Sequence, residues 1–255
     1  MAKIAIENLF KTYNSRSGRV AALENVNLQI EQNEFVTLVG PSGCGKSTLL
    51  KIIGALTRPS RGRLLYDNRP LVQPTRDVGI VFQEPVLLPW RGALDNVLLP
   101  AEILGLDIEA SRARAMDLLK LVGLQGFESS PPRELSGGMQ QRVALSRALI
   151  HNPSVLLMDE PFAALDAMTR EELGFELLHI WDTHKKTVVF VTHNIVEAIL
   201  LADRVVAMSP RPGRIDKIVK IDLPRPRTID MEFTAEFKAY SDEIRSVIYH
   251  AGTGR

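Results

Sequence analysis

Gly40-Pro41-Ser42-Gly43-Cys44-Gly45-Lys46-Ser47-Thr48 is the stretch that decides the fold. It fits the pattern G-x-x-x-x-G-K-[ST]. Its flanks are those the pattern needs: the apolar run Phe35–Val39 before it and the helical pattern Leu49-Leu50-Lys51-Ile52-Ile53 after it. The physical logic is backbone access. Glycines let successive N–H groups turn inward as an anion nest, and the helix N-terminus adds the positive end of its dipole. Lys46 is placed to reach the β- and γ-phosphates of a nucleotide, and the Ser47 hydroxyl to ligate Mg²⁺. Cys44 occupies a free position of the motif and reads as a small filler, although a thiol near a helix N-terminus can be reactive.

Working outward, Val78–Phe82, Val155–Met158, Thr187–Val191 and Val205–Met208 are further short, continuous apolar runs. Such runs suit central strands covered on both faces, and the helical stretches between them predict a largely parallel sheet. Lys3–Ile6 and Val26–Ile30 instead alternate apolar and polar residues, as half-buried antiparallel strands do, with Asn14-Ser15-Arg16-Ser17-Gly18 as a polar loop between them. Residues 88–150 lack strand signals. Ala115, Leu118, Leu119 and Val122 follow the spacing of an amphipathic helix, Ser129-Ser130-Pro131-Pro132 interrupts, and another helix follows Gly137-Gly138. The expected fold class is α/β: a phosphate-loop NTPase core with a mostly parallel sheet, an N-terminal antiparallel β subdomain and an α-helical insertion subdomain. The expected division is a domain over 1–222, with its core at 1–87 and 151–222 and the insertion at 88–150. Residues 223–255 then form a C-terminal tail. In that tail Leu223-Pro224-Arg225-Pro226-Arg227 reads as an extended linker. Phe233, Phe237, Tyr240, Ile244 and Val247 fall on one helical face, read as docked on its own domain, with partner binding as the alternative.

Composition narrows the function classes. The 255 residues carry 31 Lys+Arg against 30 Asp+Glu, a net charge of +1, so there is no global positive field to hold nucleic acid. No uncharged apolar stretch is long enough to span a bilayer, and Met1-Ala2-Lys3-Ile4 leads straight into an alternating pattern rather than a signal peptide. A single cysteine excludes an internal disulfide and fits a reducing compartment. A cytoplasmic protein with no membrane segment of its own is expected.

Val155-Leu156-Leu157-Met158-Asp159-Glu160 is an apolar strand ending in two carboxylates. Adjacent residues of a strand point to opposite faces, so the two acids can have separate tasks. Asp159 would hold Mg²⁺, directly or through water, and Glu160 would act on the attacking water as general base or orienting group. These two motifs together mark a phosphate-loop NTPase, and leave transporter ATPases, GTPases, helicases and kinases all open.

Leu135-Ser136-Gly137-Gly138-Met139-Gln140-Gln141-Arg142 discriminates among them. Ser-Gly-Gly opening a helix is a second anion-binding end on one chain. With it, residues 1–220 resemble the ATPase subunits of ATP-binding cassette (ABC) transporters, whose signature is LSGGQ. Met139 stands where that signature has Gln, and Ala163-Ala164-Leu165-Asp166 departs from the family's D-loop at Ala163, where the family has Ser. The resemblance implies ATP and Mg²⁺ as cofactors. It implies a homodimer in which each nucleotide is sandwiched between the phosphate loop of one copy and Ser136 and Gly138 of the other, with Asp166 also across the dimer. By position, Gln83 aligns with the Q-loop glutamine that reaches Mg²⁺ or the attacking water, and His193 with the switch histidine that bonds the γ-phosphate. Tyr13 aligns with the aromatic that stacks on adenine.

Gln83-Glu84-Pro85-Val86-Leu87-Leu88-Pro89-Trp90-Arg91 is unusually apolar for a solvated loop and suggests a docking surface, unless Trp90 packs within the insertion. This stretch and Leu223–Arg227 resemble the nitrate, sulfonate, taurine and bicarbonate importer group. That likeness implies transmembrane permease subunits as partners and, indirectly, a periplasmic or extracellular solute-binding protein. It implies a peripheral position at the cytoplasmic face of the inner membrane. No nucleic-acid partner is expected. A soluble ABC ATPase acting on nucleic acid or ribosomes, an importer ATPase for another cargo, and a non-hydrolysing module stand as alternatives.

Overall fold

The computed structural model describes residues 2–15, 18–163 and 165–250; Arg16 and Ser17 of the expected polar loop, Ala164 of the D-loop stretch, Met1 and residues 251–255 lie outside the described residues. The strands are β1 (Ala2–Ser15), β2 (Gly18–Glu31), β3 (Phe35–Val39), β4 (Arg61–Tyr66), β5 (Arg69–Pro70), β6 (Val78–Val81), β7 (Val155–Asp159), β8 (Thr187–Val191), β9 (Arg204–Met208) and β10 (Ile215–Lys220). The helices are α1 (Lys46–Ile53), α2 (Ala93–Leu104), α3 (Ile108–Leu121), α4 (Gly137–Leu149), α5 (Ala167–His184), α6 (Ile195–Leu201) and α7 (Ala235–His250). The chain divides into two compact units, residues 1–75 with 185–255, and residues 76–184.

In the first unit β1 pairs antiparallel with β2 and β4, giving the order β2-β1-β4-β5. Alternation decides which face is buried: Ile4, Ile6 and Leu9 of β1 lie opposite Ile30, Leu28 and Val26 of β2, and all six are buried. A second sheet runs β10-β9-β3-β8, with β3 parallel to both β8 and β9, and β10 antiparallel to β9. Every residue of β3 and β8 is buried, as their continuous apolar runs require. Phe35 and Phe190 meet at 6.1 Å between ring centroids, tilted by 46°. Helix α1 adds Leu49, Leu50, Ile52 and Ile53 to the core. Each such side chain contributes about 1.5–3 kcal/mol through apolar burial.

The C-terminal part of this unit departs from expectation at Phe233. Leu223–Arg227 contains neither helix nor strand, and its arginines tie it to the unit. The buried Arg227 guanidinium donates to the carbonyls of Ile199 (2.7 Å), Ala202 (2.6 Å) and Ile221 (3.1 Å), and so satisfies groups at the C-terminal end of α6 that would otherwise be orphaned. Burial, with the neighbouring Arg225 charge, pushes its pKa down to about 10. Phe233 does not share the face of Phe237 and Ile244. It ends a 3₁₀ turn (Ile229–Phe233) and is 84% exposed, whereas Phe237 and Ile244 are buried. The reason is a cap: Thr234 Oγ1 accepts from the Phe237 N–H (3.2 Å), so α7 starts only after Thr234.

In the second unit β6 and β7 are parallel, in the register Val81↔Met158. The insertion expected at 88–150 lies within this unit and is helical: α2 packs on α3 and α4 around Val97, Ala101, Ala115, Leu119, Val122 and Val143. Arg142 of α4 ties the bundle together, donating to the Val122 carbonyl (2.7 Å) and pairing with Glu176 of α5 (2.7 Å). Among the described residues no helix is long and apolar enough to cross a membrane.

Candidate functional site

Parallel pairing carries sequence-distant loops to one edge. In the first unit, Leu38 lies opposite Val191 and Val39 opposite Ala207, so β3, β8 and β9 all end at the same side of the sheet. Beyond β3 comes the loop Gly40–Gly45; beyond β8, Thr192-His193; beyond β9, the turn Ser209–Arg214. Ligand crevices of open α/β sheets lie at such carboxyl ends.

The loop is shaped by backbone demands. Gly45, the residue capping α1, sits at φ +112°, and a Cβ there would lie 2.7 Å from Leu23 Cδ2 and 2.9 Å from the Ala22 carbonyl. Lys46 is buried, and its Nζ donates to the carbonyls of Gly40 (2.9 Å) and Pro41 (3.2 Å). Ser42 and Gly43 are exposed, while Ser47 and Thr48 are half-buried on the first turn of α1. Cys44 is buried with its N–H donating to the Pro41 carbonyl (3.2 Å), and burial pushes its thiol pKa up. The result is a turn at a helix N-terminus with a cation folded beneath it, an arrangement suited to a polyphosphate.

His193 is exposed, on a turn braced from both sides. Thr192 Oγ1 donates to Glu197 (2.6 Å) and accepts from the Asn194 N–H (3.0 Å), and Asn194 caps α6 by accepting from Val196 (2.9 Å). Tyr13, on β1 opposite Val20, is 40% exposed, with Lys11 Nζ 4.8 Å from its ring centroid.

In the second unit the register of β6 and β7 brings Gln83 and the Asp159-Glu160 pair to one end of that strand pair. Asp159 is buried, whereas Gln83 is exposed and Glu160 half-buried. Glu160 adopts φ +45°, a left-handed conformation unusual outside glycine that redirects the chain directly after the strand. Ser136 caps α4, its hydroxyl accepting from the Met139 N–H (3.3 Å). Gly138 is a packing requirement, since a Cβ would lie 2.7 Å from Thr169 Cγ2. The Asp166 carboxylate accepts from the Thr169 N–H (3.0 Å) and hydroxyl (2.7 Å), and the backbone bond first, then the hydroxyl, holds its pKa below the usual range.

Side chains to which the sequence analysis assigns no role hold the segment after Gln83. Asn96 of α2 is fully buried. Its Oδ1 accepts from the Leu88 N–H (2.7 Å), and its Nδ2 donates to the carbonyls of Arg91 and Gly92 (3.0 Å each) and Leu88 (3.2 Å). Arg147 of α4 donates to the carbonyls of Pro85 (2.6 Å) and Val86 (2.8 Å), and Gln141 to that of Phe82 (3.3 Å). Trp90 does not pack within the bundle: it is 77% exposed, as is Val86 at 61%. The one local signal for Asn96 is an amide beside the apolar residues Val97 and Leu98 near the start of a helix.

Comparison with known proteins bears on this arrangement. Residues 23–163 match the ABC transporter family. The chain is 50% identical over 246 residues to an uncharacterized ABC transporter ATP-binding protein of Methanocaldococcus jannaschii, covering 96% of this chain and 91% of that one. It is 45% identical over 235 residues to an aliphatic sulfonates import ATP-binding protein of Bacillus cereus, covering 92% of each. Among solved structures, a dimeric bacterial ABC transporter cassette superposes with a TM-score of 0.78 at 38% identity, over 87% of this chain and all of that one; a post-hydrolysis state of the same cassette, bound to ADP and Pi, scores equally. By these similarities this chain belongs to the ABC transporter family as its ATP-binding and ATP-hydrolysing component.

Proposed function

We propose that the chain powers uptake of a small organic anion of the sulfonate kind, working as a nucleotide-sandwich homodimer beneath separate membrane permease subunits. The observation that carries this reading is the 45% identity, over 92% of both chains, to an aliphatic sulfonates import ATP-binding protein. A peripheral position at the cytoplasmic face of the membrane and an indirect link to a solute-binding protein follow from that reading. The exposed Trp90, presented on a loop held at its base by Asn96, supports a docking surface for the permease. A net charge of +1 speaks against nucleic acid as the alternative partner.

In the mechanism, amides of Gly40–Gly45 and the N-terminus of α1 cradle the phosphates, and Lys46 neutralises charge on the transferred group. Ser136 and Gly138 meet the γ-phosphate of the partner's nucleotide, Asp166 lies at the same junction, and Tyr13 stacks on the adenine. Glu160 orients and deprotonates the attacking water, a task in which His193 and Gln83 assist as positioning residues. Ser47, Gln83 and Asp159 offer only hard oxygen donors, a set that fits Mg²⁺ rather than a softer metal. When bound, Mg²⁺ would neutralise phosphate charge.

The test separates engine from cargo. Glu160→Gln should keep ATP binding, lower turnover by about 10²–10⁴-fold and accumulate a stable dimer. Turnover at the wild-type rate would refute the role of Glu160. With permease and binding protein in vesicles, alkanesulfonate should stimulate hydrolysis by the wild-type chain. Stimulation by a different solute instead would overturn the cargo while leaving the ATPase reading intact.

A further inference from the structure

The turn after β9, Ser209–Arg214, belongs to none of the motifs above, yet it is built against the phosphate loop. Ser209 knots it: its Oγ accepts from the Arg214 N–H (2.9 Å) and donates to the Pro210 carbonyl (3.0 Å), and its N–H donates to the Arg214 carbonyl (3.0 Å). Gly213 docks the turn on β2, donating to the Ala22 carbonyl (2.9 Å) and accepting from the Glu24 N–H (3.0 Å). It passes so close to the loop that a Cβ at Gly213 would lie 2.0 Å from the Cys44 carbonyl. From this fixed base Arg211 reaches across. Its Nε (3.1 Å) and Nη2 (3.0 Å) both donate to the Gly43 carbonyl.

That carbonyl matters because an anion nest works only when the loop's N–H groups point inward and its carbonyls outward. Gly43, at φ +75°, is where the peptide planes reverse, and a glycine there has no side chain to resist flipping. A planar guanidinium engaging one oxygen with two N–H groups defines its direction better than an ammonium can. Lys46 bonds the Gly40 and Pro41 carbonyls but is itself committed to the phosphates in the proposed mechanism. Arg211 has no such second duty.

We propose that Arg211 is a positioning residue for the phosphate loop: its guanidinium holds the Gly43 carbonyl outward and so fixes the loop in its anion-accepting form. This rests on the reading that the loop binds ATP.

The experiment compares the full chain with Arg211→Ala, Arg211→Lys and Arg214→Ala. Arg214 lies in the same turn and pairs with Glu24 at 2.8 Å rather than with the loop. Losing one exposed charge-assisted contact should raise the KM for ATP by about threefold to tenfold in Arg211→Ala, with kcat at saturation and the thermal midpoint unchanged. Amide hydrogen exchange across Gly40–Lys46 should quicken by a similar factor. Arg211→Lys should resemble Arg211→Ala, and Arg214→Ala the wild type. Full rescue by lysine would overturn positioning in favour of plain charge attraction. An unchanged KM and exchange rate in Arg211→Ala would overturn the proposal outright. If the wild-type chain bound no ATP, the functional reading itself would fail, a result distinct from either.

Discussion

The loop Gly40–Gly45 and the segment Gln83–Gly92 are both irregular connections leaving a parallel strand, yet they are held differently. The first combines close backbone packing with two cationic side chains, Lys46 and Arg211, that donate to its carbonyls. Gly45 sits where a Cβ would meet the Ala22 carbonyl and Leu23, Gly40 where one would meet the Met208 carbonyl, and the Cys44 side chain is buried. The second is fixed by side chains, with Asn96, Gln141 and Arg147 donating to its carbonyls and its own Val86 and Trp90 left outside. The difference follows from what each meets. A phosphate is the same in every nucleotide, so its cradle can be made of amides that no substitution alters. A protein partner varies, and a loop pinned at its base by neighbouring helices can change its tip without losing its shape.

The largest expected effect attacks the loop Gly40–Gly45. Gly45→Val should cost about 2–5 kcal/mol in stability, because a branched side chain must take φ +112° within 2.9 Å of the Ala22 carbonyl. ATP binding should go with it, as read by denaturant titration and nucleotide fluorescence. Retained binding would show that the loop tolerates side chains and dissolve the contrast. Asn96→Ala comes next. It strands several buried polar groups at about 1–3 kcal/mol and should lower the urea midpoint while leaving the ATP Kd unchanged. A matching loss of ATP affinity would mean that the two loops are not held independently.

A smaller effect concerns pH. Burial raises the Cys44 thiol pKa above its ordinary value of 9.0. The folded chain therefore keeps a proton that the unfolded chain releases, and stability falls as pH rises above about 9. Cys44→Ala should flatten that alkaline limb without altering stability at pH 7 beyond its packing cost. An unchanged limb would show that the thiol is not responsible. The smallest effect on the isolated chain is expected of Trp90→Ala, within about 0.5 kcal/mol of wild type for so exposed a residue. Basal ATP hydrolysis should persist, and stimulation by the permease should be lost. Preserved stimulation would move the docking surface elsewhere.

Much of this was legible in the chain before any coordinates. The strands Phe35–Val39 and Thr187–Val191 and the start of α1 were readable because continuous apolar runs and the glycine-lysine motif are local patterns, each tied to one backbone geometry. Phe233 is not placed correctly by helical periodicity, because that periodicity extends past a boundary that a single threonine hydroxyl decides. The role of Arg227 is not legible in the sequence, since nothing near it in the chain reveals the carbonyls of Ile199 and Ala202 that it bonds.

What the sequence by itself determined was therefore the family and the set of groups proposed for the site: a lysine, a serine, two carboxylates and a histidine, in the order in which they stand along the chain. Tertiary structure alone decided how those groups are held. The partners of Asn96, Arg147 and Arg211 are carbonyls, which every residue possesses equally. A contact to backbone leaves no complementary residue type in the sequence to betray it, and it exists only once strands and helices have been brought side by side.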